Sequence, residues 1–147
     1  MKLYYFNEHK QFQETQNEQE ADWIHIEQPT EVEIKALRAR YQIPEDFITA
    51  GLDPYEIPRH EVFESITGAK IQLLVILAPV QEHSSSMGIE YGTKPFAMIM
   101  LSNKVLTICE KTPDYIENIA KNDNKNMKKN LMHGKLSESH LVLRILW

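Results

Sequence analysis

The chain has 147 residues, of which 42% are hydrophobic and 25% are charged, so it has the size and composition of one globular domain. Its formal net charge of −5 argues against nucleic-acid binding, because a phosphate backbone is bound by a basic surface. The longest apolar runs, residues 73–80 and 96–101, are far shorter than the ~20 residues of a membrane helix, so we expect a soluble chain.

The first residues predict two strands separated by a polar loop. Lys2–Phe6 is rich in aromatic residues and alternates loosely, which indicates a strand. His9–Ala21 is rich in Gln and Glu and is predicted to be a solvated loop. Trp23–Ile26 follows as a second short strand.

Two helices are predicted next. Thr30 and Glu33 have the spacing of a capping box, so a helix begins there and ends near Tyr41. Its apolar positions fall on one face, at Ile34, Leu37 and Tyr41. A second, short helix is predicted over Glu45–Ala50, ending at Gly51.

The middle of the chain predicts most of a sheet. Arg59–Thr67 indicates an exposed edge strand, and the nearly continuous apolar run Ala69–Ala78 indicates a strand covered on both faces. Pro79–Gly92, with its serines and Gly, is predicted to be a loop. Pro95–Ser102 is predicted to be a buried strand, joined by a tight turn to Val105–Glu110.

The last part predicts a helix over Asp114–Lys121, a mobile polar loop over Asn122–Gly134 and a final apolar helix from about Ser137. The element order predicts an α/β fold in which a mixed sheet lies between helices. An apolar helix at the end of a soluble chain is a liability for aggregation. We therefore expect residues 1–147 to be a single domain cut from a longer protein.

A stretch between the second helix and the edge strand is unusually rich in charge and proline. Its carboxylates Asp53, Glu56 and Glu61 could form a site for a hard cation, since Mg²⁺ and Ca²⁺ prefer oxygen ligands. The alternative is a solvated turn, because Asp-Pro favours turns. Arg59 is expected to form a surface ion pair with Glu61 or Glu64.

Other reactive side chains suggest no catalytic site. Cys109 lies in an apolar run and is predicted to be a buried, inert thiol. The six histidines show no zinc-ligand spacing, and His25 is expected on the surface or as a satisfied core residue. The lysine-rich residues 121–135 could contact anionic lipids, although a solvated loop is the simpler interpretation. No phosphate-binding loop, nucleophile elbow or His-Glu-x-x-His motif is present in the sequence.

Several segments resemble, in the same order, the amino-terminal domain of the CorA family of divalent-cation channels. The resemblance covers roughly residues 23–147 and is carried by Trp23-Ile24-His25-Ile26, Tyr41-Gln42-Ile43-Pro44, Leu52-Asp53, Pro58-Arg59, Glu61, Lys70–Ala78, Phe96–Glu110 and Asp114-Tyr115-Ile116. It implies a domain with a mixed sheet between helical layers, truncated before a stalk helix and two membrane helices. The family's Gly-Met-Asn tripeptide is absent from this sequence.

The resemblance also implies partners and a location. Family members form pentamers on the cytoplasmic face of the inner membrane, held in the membrane by a part that is missing here. Divalent cations such as Mg²⁺ or Co²⁺ bind between neighbouring cytoplasmic domains and hold the channel closed. The usual acidic regulatory position falls on Ala50, so Asp53 is the substitute candidate.

These observations leave three hypotheses for the function. The first is the cytoplasmic regulatory and assembly domain of a CorA-like magnesium and cobalt transporter. The second is a structural oligomerisation domain of a zinc-transporting relative, with no ion sensing of its own. The third, least favoured, is a stand-alone metal-dependent enzyme.

Overall fold

Seven strands form a single sheet in the computed structural model, which describes residues 1–7, 12–65, 68–85 and 88–120. In chain order the strands and helices are β1 Lys2–Phe6, β2 Phe12–Glu14, β3 Trp23–Glu27, α1 Glu31–Tyr41, α2 Glu45–Thr49, β4 Arg59–Glu64, β5 Lys70–Ser85, β6 Gly88–Met100, β7 Val105–Cys109 and α3 Asp114–Ala120. The strands lie side by side in the order β2-β1-β3-β7-β6-β5-β4.

The sheet is mixed, as the sequence predicts. Strands β3 and β7 are parallel, in a register that places Trp23 opposite Val105 and Glu27 opposite Cys109. The other neighbouring strands of the described chain pair antiparallel. The parallel pair lies near the middle of the sheet, where both of its faces are covered.

Helices α1 and α2 cover one face of the sheet, which we call the front face. The predicted capping box is confirmed, since Thr30 Oγ1 accepts a hydrogen bond from Glu33 N at 3.3 Å and the Glu33 carboxylate accepts one from Thr30 N at 2.8 Å. Leu37 is buried in the core beneath α1, with Ile34 and Tyr41 packed against it. The strand residues that line this face include Ile24, Leu73, Val75, Ala97, Ile99 and Ile108.

Helix α3 covers the opposite, back face. Its Ile116 is buried in a second apolar cluster with Trp23, Phe96 and Met98. Aromatic rings make much of this cluster, with Tyr4 4.9 Å from Trp23 between ring centroids. The sheet therefore lies between helices, and the predicted fold class is confirmed.

Strand β2 corrects the prediction of a loop over residues 9–21. Phe12 begins this strand and is only 3% exposed, with its ring 5.4 Å from Trp23 and 5.2 Å from Phe6. A single aromatic side chain anchors a short edge strand whose other residues face solvent. The Gln- and Glu-rich composition of residues 9–21 therefore gave no indication of this strand.

The long hairpin of β5 and β6 corrects two further predictions. The segment Pro79–Gly92 was predicted to be a loop, but pairing continues to Ser85 opposite Gly88, with a bulge between Gln81 and His83. Beyond the part of the sheet flanked by β4 and β7, these two strands pair only with each other. The polar composition reflects solvent on both sides of this ribbon. For the same reason β5 is not covered on both faces along its length, and Leu77 is 43% exposed.

The remaining predictions have mixed outcomes. Strand β4 forms an edge of the sheet and α2 lies where it was predicted. Cys109 is fully buried, as expected. The predicted loop over residues 122–134 and the final helix lie outside the described residues. In the described part of the chain, no helix has the length and apolar character needed to cross a membrane.

Candidate cation-binding site

The charged stretch begins at a glycine held against the sheet. A Cβ atom on Gly51 would lie 2.1 Å from the carbonyl oxygen of Ile108 and 3.2 Å from Ala97 Cβ. Glycine therefore lets the end of α2 pack directly on β7. This contact fixes the point from which the loop of residues 52–58 leaves the front face.

The loop itself opens with the turn that the sequence predicts. Asp53 Oδ1 accepts a hydrogen bond from Tyr55 N at 2.9 Å, and Asp53 O accepts one from Glu56 N at 3.0 Å. A hydrogen bond from the backbone N–H of one residue to the side-chain oxygen of an Asp two positions earlier defines an Asx turn, which Asp-Pro sequences favour. Asp53 remains exposed to solvent in this turn.

Arg59 lies between the other two predicted ligands. Its Nε donates to Glu56 Oε1 at 3.0 Å and its Nη2 donates to Glu56 Oε2 at 3.3 Å, while its Nη1 pairs with Glu61 Oε1. The predicted ion pair of Arg59 with Glu61 is confirmed, and the bidentate pair with Glu56 is an addition to it. The side chains of Arg59 and Glu56 are 23% and 16% exposed, so solvent screens this pair less than a surface pair, whereas Glu61 is 44% exposed.

The arrangement assigns different roles to the three candidate ligands. The guanidinium group of Arg59 binds both Glu56 and Glu61. Its positive charge therefore does for these two carboxylates what a bridging metal cation would do. Asp53 lies outside this cluster, in the turn before it. Among the described residues, no group of three or more His, Cys, Asp or Glu side chains is placed to hold a metal ion. A metal role for Asp53, Glu56 and Glu61 stays a prediction.

Ala50, which the resemblance places at the family's acidic regulatory position, is a core residue. Ala50 is 1% exposed and packs in the front-face core at the end of α2. A carboxylate at this depth would need a partner for its charge, which a methyl group does not.

A buried polar network on the back face was missed by sequence reasoning. His25 is 3% exposed, and its Nδ1 lies 2.8 Å from Thr107 Oγ1 while its Nε2 lies 2.9 Å from Thr112 Oγ1. Trp23 Nε1 donates to Thr107 at 2.9 Å, and Thr112 donates to Glu27 at 2.7 Å. Burial lowers the pKa of His25 to about 4, with smaller opposing effects from neighbouring charges, so the ring is neutral at physiological pH.

The sequence does carry a signal for this network. Thr107 is the polar residue in the apolar run of β7, and the parallel register places it opposite His25. Two polar side chains that meet inside a sheet must satisfy each other. The pairing of β3 with β7 is the information that the sequence pattern lacks.

A second cluster ties the start of the chain to α1. The Glu18 carboxylate accepts hydrogen bonds from Arg40 and from the Tyr41 hydroxyl, and Lys104 Nζ donates to the Glu18 carbonyl at 2.9 Å. Burial alone would raise the pKa of Glu18, but the bonds from Arg40 and Tyr41 outweigh it and lower that pKa below its usual value. The cluster is structural in character, since each charge has a partner.

Comparison with known proteins identifies the family. A family model described as CorA-like Mg²⁺ transporter protein matches residues 18–147. The complete structure of the CorA magnesium transporter from Methanocaldococcus jannaschii is 20% identical, with a TM-score of 0.66 over 99% of this chain and 42% of that chain. The soluble domain of CorA from the same organism is 22% identical, with a TM-score of 0.67 over 99% of this chain and 53% of that chain.

At such identities the two solved structures show a shared fold, and this chain spans about half the length of the chains that it matches. A search of curated proteins found no match.

Proposed function

This chain belongs to the CorA-like Mg²⁺ transporter family, and we propose that it is the cytoplasmic regulatory and assembly domain of a magnesium and cobalt channel. The observation that carries the proposal is the family match over residues 18–147. It is joined by the similarity in fold to the solved CorA soluble domain, which extends over 99% of this chain. In this proposal the membrane-spanning part belongs to a longer protein. The domain then lies on the cytoplasmic face of the inner membrane, assembles with copies of itself and performs no catalysis.

The regulatory part of the proposal centres on Asp53. Its carboxylate is exposed, it is held by an Asx turn, and the loop that carries it begins at the fixed contact of Gly51. Carboxylates from neighbouring domains repel each other until Mg²⁺ or Co²⁺ bridges them, so loss of the ion frees the domains to move. Glu56 and Glu61 add negative potential nearby, although Arg59 offsets part of it.

The alternative is a purely structural domain of a zinc-transporting relative that senses no ion. The bonds from Arg59 to both Glu56 and Glu61 fit a domain without ion sensing, because they satisfy two of the three candidate ligands without a metal. The two functions differ in one property, which is the response of this domain to divalent cations.

A cation titration of the chain separates them. Mg²⁺ or Co²⁺ is added at millimolar levels while sedimentation and the thermal midpoint are followed, in the wild type, in Asp53→Asn and in a control, Glu64→Gln. Asn keeps the Oδ1 acceptor of the turn and removes only the charge. Ion sensing predicts that the midpoint rises in the wild type and the control, and that Asp53→Asn loses most of the rise.

If neither ion changes the thermal midpoint or the sedimentation of the wild type, that result would contradict ion sensing by this domain. The structural alternative would then remain. Transport is tested separately, with the whole protein that contains this chain reconstituted in vesicles loaded with a Mg²⁺ indicator. No uptake of Mg²⁺ or Co²⁺ into those vesicles would overturn the transporter assignment.

A further inference from the structure

The buried polar network on the back face reaches the start of helix α3. Thr112 lies two residues before this helix and is half-buried, and Pro113 beside it is buried. The hydroxyl of Thr112 donates to Glu27 Oε2 at 2.7 Å and lies 2.9 Å from His25 Nε2. One threonine side chain therefore joins strand β3 to the residues that lead into α3.

The Thr112 hydroxyl lies between a base and a carboxylate. His25 and Glu27 are two residues apart on β3, so both side chains project from the back face. The Nε2 atom of His25 and the Oε2 atom of Glu27 contact the same hydroxyl oxygen, so they are separated by no more than the length of two hydrogen bonds. A neutral imidazole keeps this bridge, whereas an imidazolium interacts more strongly with the carboxylate itself.

A proton on the ring would also disturb its other contact. Nδ1 of His25 lies 2.8 Å from the Thr107 hydroxyl, which accepts the Nε1–H of Trp23 at 2.9 Å. If Nδ1 becomes a donor, the Thr107 proton has to turn away from it, and in the described part of the chain that hydroxyl has no further hydrogen-bond partner. Thr107 is fully buried, so an unsatisfied proton there is unfavourable. This contact therefore favours movement of a charged ring away from Thr107 and toward Glu27.

Charges on three elements face His25. After the effect of burial, Glu27 on β3 has the largest effect on the ring and favours the imidazolium. Glu117 on α3 acts in the same direction, whereas Lys2 and the amino group of Met1 at the start of β1 oppose it. Lys2 also lies 3.8 Å from Glu117 in an exposed pair, so these two charges offset each other. Burial raises the pKa values of three further titratable groups on the back face, which stay neutral from pH 5 to 7: Tyr4, Cys109 and Tyr115.

Helix α3 depends on its contacts with the sheet. It has seven residues, and a helix of this length is stabilised by packing rather than by its own hydrogen bonds. Ile116 is buried in the back-face cluster, with Tyr115 and Ile119 partly buried beside it. An element with so few buried contacts opens at a smaller free-energy cost than the central strands.

We propose that Thr112 is a proton-sensitive tether of α3. When His25 takes up a proton, the imidazolium pairs directly with the Glu27 carboxylate, Thr112 loses both hydrogen bonds, and α3 opens from the back face more often. The inference goes beyond the proposed function and does not rest on it, because no metal ion takes part. The tether also lies on the face of the sheet opposite the helices α1 and α2.

Hydrogen exchange followed by NMR at pH 7 and pH 5, in EDTA, tests the tether. Protection of the α3 amides of Asn118 and Ile119 is compared with that of Met98 in β6, which reports opening of the whole sheet. A His25 pKa of about 4 in the fold, against 6.5 for an exposed ring, predicts that α3 opens about twentyfold more often at pH 5. At both pH values α3 should be less protected than Met98, because it opens without the rest of the sheet.

Three variants separate the tether from ordinary fraying of a helix end. His25→Gln has no ring to titrate, so its α3 protection should stay constant from pH 7 to pH 5. Glu27→Gln keeps an acceptor for Thr112 but gives the imidazolium no carboxylate, so the loss of protection should be smaller than in the wild type by about threefold or more. Thr112→Val lacks the hydroxyl, so its α3 protection at pH 7 should already lie below the wild-type value by about fivefold or more.

Thr49→Val is the matched control, because it removes a hydroxyl that bonds only within α2. It should show the wild-type protection of α3 at both pH values, and retained protection of Met98 shows that a variant folds. Wild-type α3 protection that is the same at pH 7 and pH 5, or equal to that of Met98, would overturn the proposal without any variant. A twentyfold loss that persists in His25→Gln, a loss in Glu27→Gln as large as in the wild type, or unchanged protection in Thr112→Val would also overturn it.

Discussion

The imidazole of His25 donates a hydrogen bond from Nε2 to Thr112 Oγ1. The direction follows from the neighbouring bond, because the one hydroxyl proton of Thr112 goes to Glu27 Oε2 at 2.7 Å and its oxygen must accept across the 2.9 Å to His25. On the other side, Thr107 accepts from Trp23 Nε1 and donates its own proton to His25 Nδ1. A one-way chain of bonds thus fixes the neutral Nε2–H tautomer.

This chain of bonds predicts a stability that depends on pH. The pKa of His25 is about 4 in the fold, against an ordinary value of 6.5, so the unfolded chain binds the proton more readily. Stability is therefore full above pH 6.5 and falls as the pH drops toward 4. Between pH 6.5 and 5 we expect a loss of about 1.6 kcal/mol from this group.

Urea unfolding at half-unit pH intervals measures this loss, with His25→Gln as the comparison. Glu18 and Glu33 have lowered pKa values, so the stability that their carboxylates contribute is lost only as the pH falls below about 4.5. The change in stability between pH 6.5 and 5 is therefore assigned to His25. A wild-type free energy of unfolding that stays flat from pH 6.5 to 5, or an equal slope in His25→Gln, would contradict the assignment.

Arg59→Met should convert a satisfied cluster into a repulsive one. Without the guanidinium, Glu56 and Glu61 face each other half-buried and uncompensated, and we expect a loss of about 1 to 3 kcal/mol in the free energy of unfolding. Added Mg²⁺ should restore part of that loss, more than it stabilises the wild type. Arg38→Met is the control, since its pair with Glu45 is exposed and should cost little. Equal losses in the two variants, or no recovery in Mg²⁺, would show that Arg59 is not the counter-ion of this cluster.

Gly51→Ala tests how the candidate site is fixed to the sheet. The new Cβ atom would meet the Ile108 backbone, which cannot move aside without disturbing β7, so we expect a loss of about 1 to 3 kcal/mol. Gly92→Ala is the matched control, because the atoms near its Cβ belong to the flexible end of the Glu82 side chain. Chemical denaturation of the two variants gives the comparison. Similar midpoints would mean that α2 does not depend on this close approach.

Local signals in the sequence predicted what depends on neighbouring residues alone. The Thr30–Glu33 capping box, the end of α1 near Tyr41 and the turn at Asp53 each involve residues within a few positions of one another. Their geometry is set by backbone hydrogen bonds to nearby side chains. Such features need no knowledge of the sheet.

The features that the sequence did not predict depend on contacts between residues far apart in the chain. The ribbon beyond Pro79 looks like a loop by composition, and it is a strand because two polar segments pair with each other. The network around His25 depends on residues 82 and 87 positions away in the chain. At the candidate site, the Arg59–Glu61 pair was anticipated, whereas the bidentate bond to Glu56 depends on how the loop folds back before β4.

Cys109 provides a probe of whether the centre of the sheet opens. Its thiol is fully buried beside Ile108, and burial raises its pKa to about 12, so very little thiolate is available to react in the folded protein. We expect a thiol-specific reagent to label Cys109 at a rate that follows opening of the sheet, at least a hundredfold slower than in urea.

Because Gly51 packs on Ile108, the residue next to Cys109, the thiol should be labelled faster in Gly51→Ala and at the wild-type rate in Gly92→Ala. Rapid labelling of the native wild type would contradict a closed centre. Equal rates in the two glycine variants would separate the packing of α2 from the integrity of β7.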